Sequence, residues 1–357
     1  MLDKDFFKQL TAVRGVSGCE KDVQSVFLSH IRHHADKLCS DVMGSVWGIL
    51  NPGAPNKVLI DCHADEIGFL IRYISEDGLL YLQPVGSHSV KTAISQRVVV
   101  KTEGRDIYGV IGTKPHHMQS DSERAAAPPI TGIWVDIGAR NDVEAKQMVR
   151  LGDPVSYVSE LTELGGRRVS SPALDNRAGM YVAAETFSRL SGSLAKVELT
   201  ALSSVQEEVG MRGAEAAIAK INPQIALIID VCHTMDTPGL DKRLLGDVSL
   251  GRGPVIVRGP NTSPFVFKRL VDTAEGFGIK YQIQPSSAVT STDAGVIQVA
   301  NSGIAVGIIS VPIRYMHTPN EVMEWSDLEA TVDLAEAFVR SCSSGINFNE
   351  VCELSAV

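Results

Sequence analysis

From Gly166 onward the chain alternates between stretches with helical spacing and short apolar β-prone runs. Helical periodicity covers 176–190, 212–220, 264–276, 293–300 and 326–341. β-prone runs fill 196–205, 225–230, 279–284 and 304–311. Strands that alternate with helices bury themselves by forming a sheet with helices on both faces. The chain opens the same way. Helices are expected over 3–13 and 19–35, and strands over 38–50 and 57–63, with a turn at Asn51-Pro52-Gly53-Ala54-Pro55. Between Gly68 and Gly166 the texture changes. Short β-prone runs at 68–74, 79–84, 97–101, 107–113 and 133–137 are punctuated by Gly, Asp and Pro. Helical periodicity is scarce there apart from 141–150, and 114–129 reads as a polar, proline-containing loop. The pattern predicts an α/β protein. A helix-flanked mixed-sheet domain over 1–67 and 167–357 is interrupted by a small β-barrel-like domain over 68–166.

The 357 residues are 44 % hydrophobic, ample for a buried core, and the formal net charge of −9 argues against nucleic acid as the main partner. No apolar run approaches the ~20 residues of a membrane span, and the start of the chain lacks a signal-peptide pattern. The six cysteines (Cys19, Cys39, Cys62, Cys232, Cys342 and Cys352) form no CxxC pair. They read as reduced thiols, so the expected location is cytoplasmic. Cys62 and Cys232 stand beside candidate ligands, but small buried side chains are the better reading.

Several apolar strands end in groups that bind metals. Ala201–Gly210 closes in the adjacent acids Glu207 and Glu208. Two buried like charges repel, and a nearby cation removes that cost. Strand alternation would point the two side chains apart, so one could bind metal while the other handles protons. A solvated strand end or a first helical turn would also carry two glutamates. Val58–Gly68 places Asp61, His63 and Asp65 on one face. His63 with Asp65 two residues on suits a metal ligand and the carboxylate that orients its ring, or simply a structural pair. Asp175 stands just before a predicted helix, as an N-cap or as a ligand at a rigid junction. Asp230 closes the apolar run 225–230, and His317 follows the run 304–311. In open α/β sheets ligands bind beyond the carboxyl ends of strands. Two His and several carboxylates suit Zn²⁺, Co²⁺ or Mn²⁺, and are enough for two ions sharing a carboxylate.

The ordered set of short motifs resembles the dinuclear-metal aminopeptidases that assemble into tetrahedral dodecamers, the TET aminopeptidases. This family includes glutamyl, leucyl and lysyl aminopeptidases, some of them labelled endoglucanase. The match runs through Gly15-Val16-Ser17-Gly18, His63-Ala64-Asp65-Glu66-Ile67-Gly68-Phe69, Gln96-Arg97-Val98 and Lys114-Pro115-His116-His117. It continues through Asp136–Ala139, Gly152-Asp153, Ala173-Leu174-Asp175-Asn176-Arg177-Ala178-Gly179 and Gln206-Glu207-Glu208-Val209-Gly210. Asp236–Gly239, Thr292-Asp293-Ala294 and Arg314–Pro319 complete it. The resemblance implies two divalent ions per subunit, Zn, Co or Mn. His63, Asp175 and Asp230 would hold one, and Asp175, Glu208 and His317 the other, with Asp65 orienting His63. It implies Glu207 as general base toward a bridging water, and short peptides with a free N-terminus as substrates. It further implies a homo-oligomer paired through the inserted domain. Two departures bear on substrate range and assembly: Val85–Ser89 lacks an expected tryptophan, and Cys232 stands where the family usually has threonine.

Other readings are a metal-dependent deacylase or carboxypeptidase-like amidohydrolase, a glycoside hydrolase, and a non-catalytic assembly protein. Adjacent acids and 6 % aromatic content argue against the glycoside hydrolase. Arg252 and Arg314 could attract an acidic side chain, or be structural ion pairs. His30, His33, His34, His116, His117 and His233 are expected to have no ligand role.

Overall fold

The computed structural model describes residues 2–346 apart from His88 and Ser159, with only the backbone described at Leu245. Cys352 and the last residues of the predicted 167–357 segment lie outside the described residues. The chain begins with helices α1 (Lys4–Ala12) and α2 (Lys21–Ile31), then strands β1 (Lys37–Ser40), β2 (Val46–Leu50) and β3 (Asn56–His63). The single strand expected over 38–50 is therefore two. Asp41 breaks it, because its Oδ1 accepts the N–H groups of Met43, Gly44 and Ser45 at 2.9, 2.9 and 3.0 Å and folds the backbone into a turn.

The next segment holds β4 (Gly68–Ile74), β5 (Leu80–Val85), α3 (Val90–Ala93), β6 (Arg97–Lys101), β7 (Asp106–Thr113), α4 (Asp121–Ala125), β8 (Ile133–Asp136), α5 (Asp142–Met148) and β9 (Pro154–Tyr157). Strands β4 to β9 close into a barrel in the order β4-β5-β8-β7-β6-β9. Closure leaves no unpaired edge. Alternate residues such as Phe69, Ile71, Leu80, Leu82, Val98, Val100, Ile111, Val135 and Val155 fill its core. The predicted loop 114–129 is not featureless. It carries a 3₁₀ turn at His116–Met118 and then α4, started by a Ser120/Glu123 capping box.

After β10 (Thr162–Leu164) and β11 (Arg168–Ser171) come α6 (Leu174–Leu190), β12 (Val197–Ser204), α7 (Arg212–Ile221), β13 (Ile225–His233), α8 (Lys242–Leu245), β14 (Val255–Arg258), α9 (Pro264–Phe277), β15 (Gln282–Pro285), α10 (Ala294–Ile297), β16 (Ala305–Ile313), β17 (Glu321–Glu324) and α11 (Trp325–Ser341). Strand β13 runs three residues past Asp230, because parallel pairing with β16 continues through His233 opposite Ile313. The main sheet has the order β1-β2-β12-β3-β13-β16-β14-β15. Its centre (β12, β3, β13, β16) is parallel, and antiparallel pairs at β2–β12 and β16–β14 make it mixed. Strand residues alternate between two cores. Val58 and Ile60 pack with α1, α2, α6, α9 and α11 on one face. Leu59 packs with α7 and α10 on the other. Arg177, fully buried, ties α6 to the barrel junction. Its guanidinium donates to the carbonyls of Leu10, Ala64 and Val13 and to Glu66. Among the described residues no helix is long and apolar enough to cross a membrane.

Candidate active site

The parallel strands β3, β12, β13 and β16 carry their candidate groups to one edge of the sheet. His63 is the last residue of β3, and Asp230 lies in β13, inside the strand rather than at its end. Strand β12 stops at Ser204, one residue short of the predicted end, and Gln206 has φ +58°. Glu207 and Glu208 therefore stand in a turn. Their side chains still part. Glu208 meets His317, while Glu207 lies in the field of His63 and Asp230.

The five residues form two groups of potential ligand atoms, each within 4.8 Å: His63, Asp175 and Asp230, and Asp175, Glu208 and His317. Asp175 belongs to both. Its Oδ1 lies 3.1 Å from His63 Nε2 and its Oδ2 lies 3.2 Å from His317 Nε2. His63 Nε2 is also 3.7 Å from Asp230 Oδ1, and His317 Nε2 is 3.2 Å from Glu208 Oε1. Both rings turn Nδ1 away from this centre. His63 Nδ1 is 3.2 Å from the Asp65 carbonyl, and His317 Nδ1 is 2.6 Å from the Ser87 carbonyl. A carbonyl accepts a hydrogen bond only from a protonated Nδ1, which leaves each Nε2 lone pair directed inward.

That arrangement fits a metal centre. Inward lone pairs facing Asp175, Asp230 and Glu208, with Glu207 alongside, would repel each other unless a cation or proton lies between them. Nitrogen and oxygen donors of this kind suit Zn²⁺, Co²⁺ or Mn²⁺. Electrostatics in the metal-free protein show the same demand. Burial lowers the pKa of His317, but Asp175 and Glu208 overcome it and raise it to about 11. Burial likewise opposes the charged His63, yet Asp175, Asp230 and Asp65 hold it well above its ordinary value. Burial pushes the Glu207 carboxyl up to about 9, with Asp230, Asp293 and Glu208 adding to the effect and His63 opposing it. Burial also raises Asp230 and Glu208.

Asp65 does more than face His63. Its carboxylate is 3.6 Å from His63 Nδ1, farther than its own carbonyl. The same carboxylate accepts the Glu207 and Glu208 N–H groups at 2.9 and 3.1 Å and the Ser17 hydroxyl at 2.6 Å. It therefore clasps the turn that carries both glutamates. Asp175 is not the helix cap that its position also suggested. Asn176 is, with its Oδ1 accepting the Gly179 N–H at 2.8 Å. Asp175 itself is non-helical (φ −82°, ψ 100°), which frees its carboxylate for the two histidines.

Sequence reasoning missed Glu321. It is 2 % exposed, and its two oxygens accept the backbone N–H groups of Asp175 and His317 at 3.0 and 2.7 Å. Only its place four residues after His317 marks it. Asp61 shares a buried environment with Asp293 behind the site, where Ser204 donates to Asp293 at 2.7 Å. Arg314 is bound to Asp236 at 2.6 Å and Arg252 to Asp247 at 3.2 Å, so both are structural ion pairs. Cys62 and Cys232 are buried, and the Cys62 thiol lies against the Leu202 carbonyl at 3.4 Å. His30 stacks on Phe6 at 3.6 Å.

Residues 44–334 match the M42 glutamyl aminopeptidase family. The lysyl aminopeptidase of Pyrococcus furiosus is 32 % identical, over 95 % of this chain and 97 % of its own. An aminopeptidase of the archaeon Desulfurococcus kamchatkensis superposes with a TM-score of 0.88 at 35 % identity, covering 99 % of this chain and 97 % of that one. The TET1 peptidase of Pyrococcus horikoshii, described as assembling into a tetrahedron or a large octahedral shell, gives 0.85 at 30 % identity over 94 % and 98 %. The fold, a helix-flanked mixed sheet with a closed six-stranded barrel, is shared with these aminopeptidases. The chain belongs to the M42 glutamyl aminopeptidase family, and aminopeptidase is the class of hydrolase that this membership assigns it.

Proposed function

We propose that the chain is a metal-dependent aminopeptidase that removes the first residue from short peptides with a free N-terminus. The observation that carries this reading is the Asp175 carboxylate, with one oxygen toward each inward-facing histidine. His63, Asp175 and Asp230 would hold one divalent ion, and Asp175, Glu208 and His317 a second, with Zn, Co and Mn all compatible with the donors. Such ions, when bound, supply an acidified water and a polarised scissile carbonyl. Glu207 takes the proton of the attacking water and delivers it to the leaving amine. Its burial raises its proton affinity, and cations nearby would bring it back toward the working range of a base. Asp65 keeps Glu207 at that post through the backbone of the turn. By the same family reading the barrel over 68–166 pairs subunits, and the chain forms a homo-oligomer, in its fullest form a tetrahedral dodecamer.

The test is hydrolysis of unblocked aminoacyl p-nitroanilides and their N-acetylated forms. Metal-stripped protein is used, with Zn²⁺, Co²⁺ or Mn²⁺ restored. Metal-dependent cleavage of the unblocked set alone is expected. Cleavage of only the acetylated set would mean a deacylase.

A further inference from the structure

The turn carrying Glu207 is held from its far side by the segment Gly15–Gln24. Gly15 exchanges hydrogen bonds with Glu66, its N–H to Oε1 at 3.0 Å and its carbonyl from the Glu66 N–H at 2.9 Å. Ser17 reaches Asp65, and Gln24 Nε2 donates to the Ser203 carbonyl at 2.9 Å, at the end of β12. Between them lies Glu20. Its neighbours Gly18, Cys19, Lys21 and Asp22 are exposed, yet Glu20 is 5 % exposed. It occupies the N-cap position of α2, yet its side chain makes no capping bond to that helix. Among the described residues it makes no ion pair within salt-bridge distance. Its Oε1 instead accepts two backbone N–H groups, Gly18 at 2.7 Å and Gln206 at 3.2 Å.

A buried carboxylate without a cation is costly, so its bonds are informative. Gln206 sits at φ +58°, a conformation that a side-chain-bearing residue keeps only when its surroundings hold it there. The Gln206 N–H immediately precedes the Glu207 N–H, which Asp65 holds. Two acids from separate parts of the chain thus grip consecutive amides of one turn.

We propose that Glu20 is a positioning residue for this aminopeptidase. Its Oε1 fixes the Gln206 amide and through it the place of the Glu207 carboxylate relative to His63 and Asp175. The proposal rests on Glu207 being the base. It requires a hydrogen-bond acceptor at Glu20 rather than a charge.

Glu20→Ala, Glu20→Asp and Glu20→Gln separate these possibilities. The Ala change removes the acceptor, and the Asp change draws it back by one methylene while keeping the charge. The Gln change keeps an oxygen in place without the charge. With a metal-loaded enzyme, the Ala and Asp variants are expected to lose roughly 10- to 100-fold in kcat. KM and bound metal should stay at wild-type values, and Gln should restore turnover. Should the Ala variant fail to fold, Asp carries the same comparison. Wild-type kcat in the Ala or Asp variant overturns the proposal. So does a Gln variant as impaired as Ala, which would place the role in the charge. Glu207→Gln is measured alongside. Turnover lost there but kept in the Glu20 variants sinks the positioning role alone. Turnover kept in Glu207→Gln removes the base and this proposal with it.

Discussion

Glu321→Gln is a one-atom perturbation with a calculable effect. In the native protein one carboxylate spans two ligand-bearing loops, accepting from Asp175 N at 3.0 Å and His317 N at 2.7 Å. Burial, and then Asp175, push its pKa well above the ordinary range, while the two N–H donors favour the anion. An amide can accept with its oxygen only, and its NH₂ faces the other donor. One buried N–H then loses its partner, at about 1–3 kcal/mol. That cost is shared between stability and metal affinity. Support lost behind a metal ligand typically weakens affinity about 10–100-fold. Urea midpoints of the metal-stripped protein and a competitive chelator titration measure the two parts. Wild-type values in both would refute the claim that Glu321 holds Asp175 and His317 in place.

The buried Glu20 carboxyl is raised to about 7 from 4.5, mainly by burial and opposed by the Gly18 N–H. A raised folded-state pKa means that its stabilising contribution is full below about 4.5 and lost as pH rises through about 7. Glu20→Gln should therefore match the wild type near the bottom of that window and exceed it above the top, by up to about 3 kcal/mol; urea midpoints at pH 5 and 8 check this, and equal differences at both would contradict it. Arg177→Met leaves three backbone carbonyls and Glu66 without their buried donor. It should cost about 3–5 kcal/mol, read as a lower urea midpoint; an unchanged midpoint would show the network to be dispensable. Gly213 packs its α-carbon against the backbone of Val205, leaving no room for a methyl group. Gly213→Ala should displace the 205–208 turn and lower kcat more than metal content, which paired kinetics and metal analysis would show.

The α/β alternation was legible because each strand is apolar enough to be buried on two faces, as in Ile225–Ile229. The barrel was legible from its short runs and their punctuation, although its β9 was too short to stand out, as were β10, β11, β14 and β17 outside the barrel. His63, Glu208, Asp230 and His317 could be nominated from sequence because each lies near the end of an apolar run, and Asp175 because it precedes a predicted helix. Their convergence is a property of parallel register, which brings His63 level with Ser204 on the neighbouring strand. Glu20, Glu321 and Asp293 were not legible as site supports. Each acts on backbone or side chains far away in the sequence, such as Glu20 on Gln206, and in the chain each reads as an ordinary polar residue near a helix or turn. The two readings of Asp175 could not be separated without seeing that Asn176 takes the capping role.

The most direct test of the central claim is the turnover number of Glu207→Gln on an unblocked aminoacyl p-nitroanilide, with bound metal counted on the same sample. Glu207 is the proposed base and lies outside both ligand groups. The account predicts wild-type metal content and a kcat lower by roughly 10²- to 10⁴-fold. Undiminished hydrolysis at full metal content would contradict it.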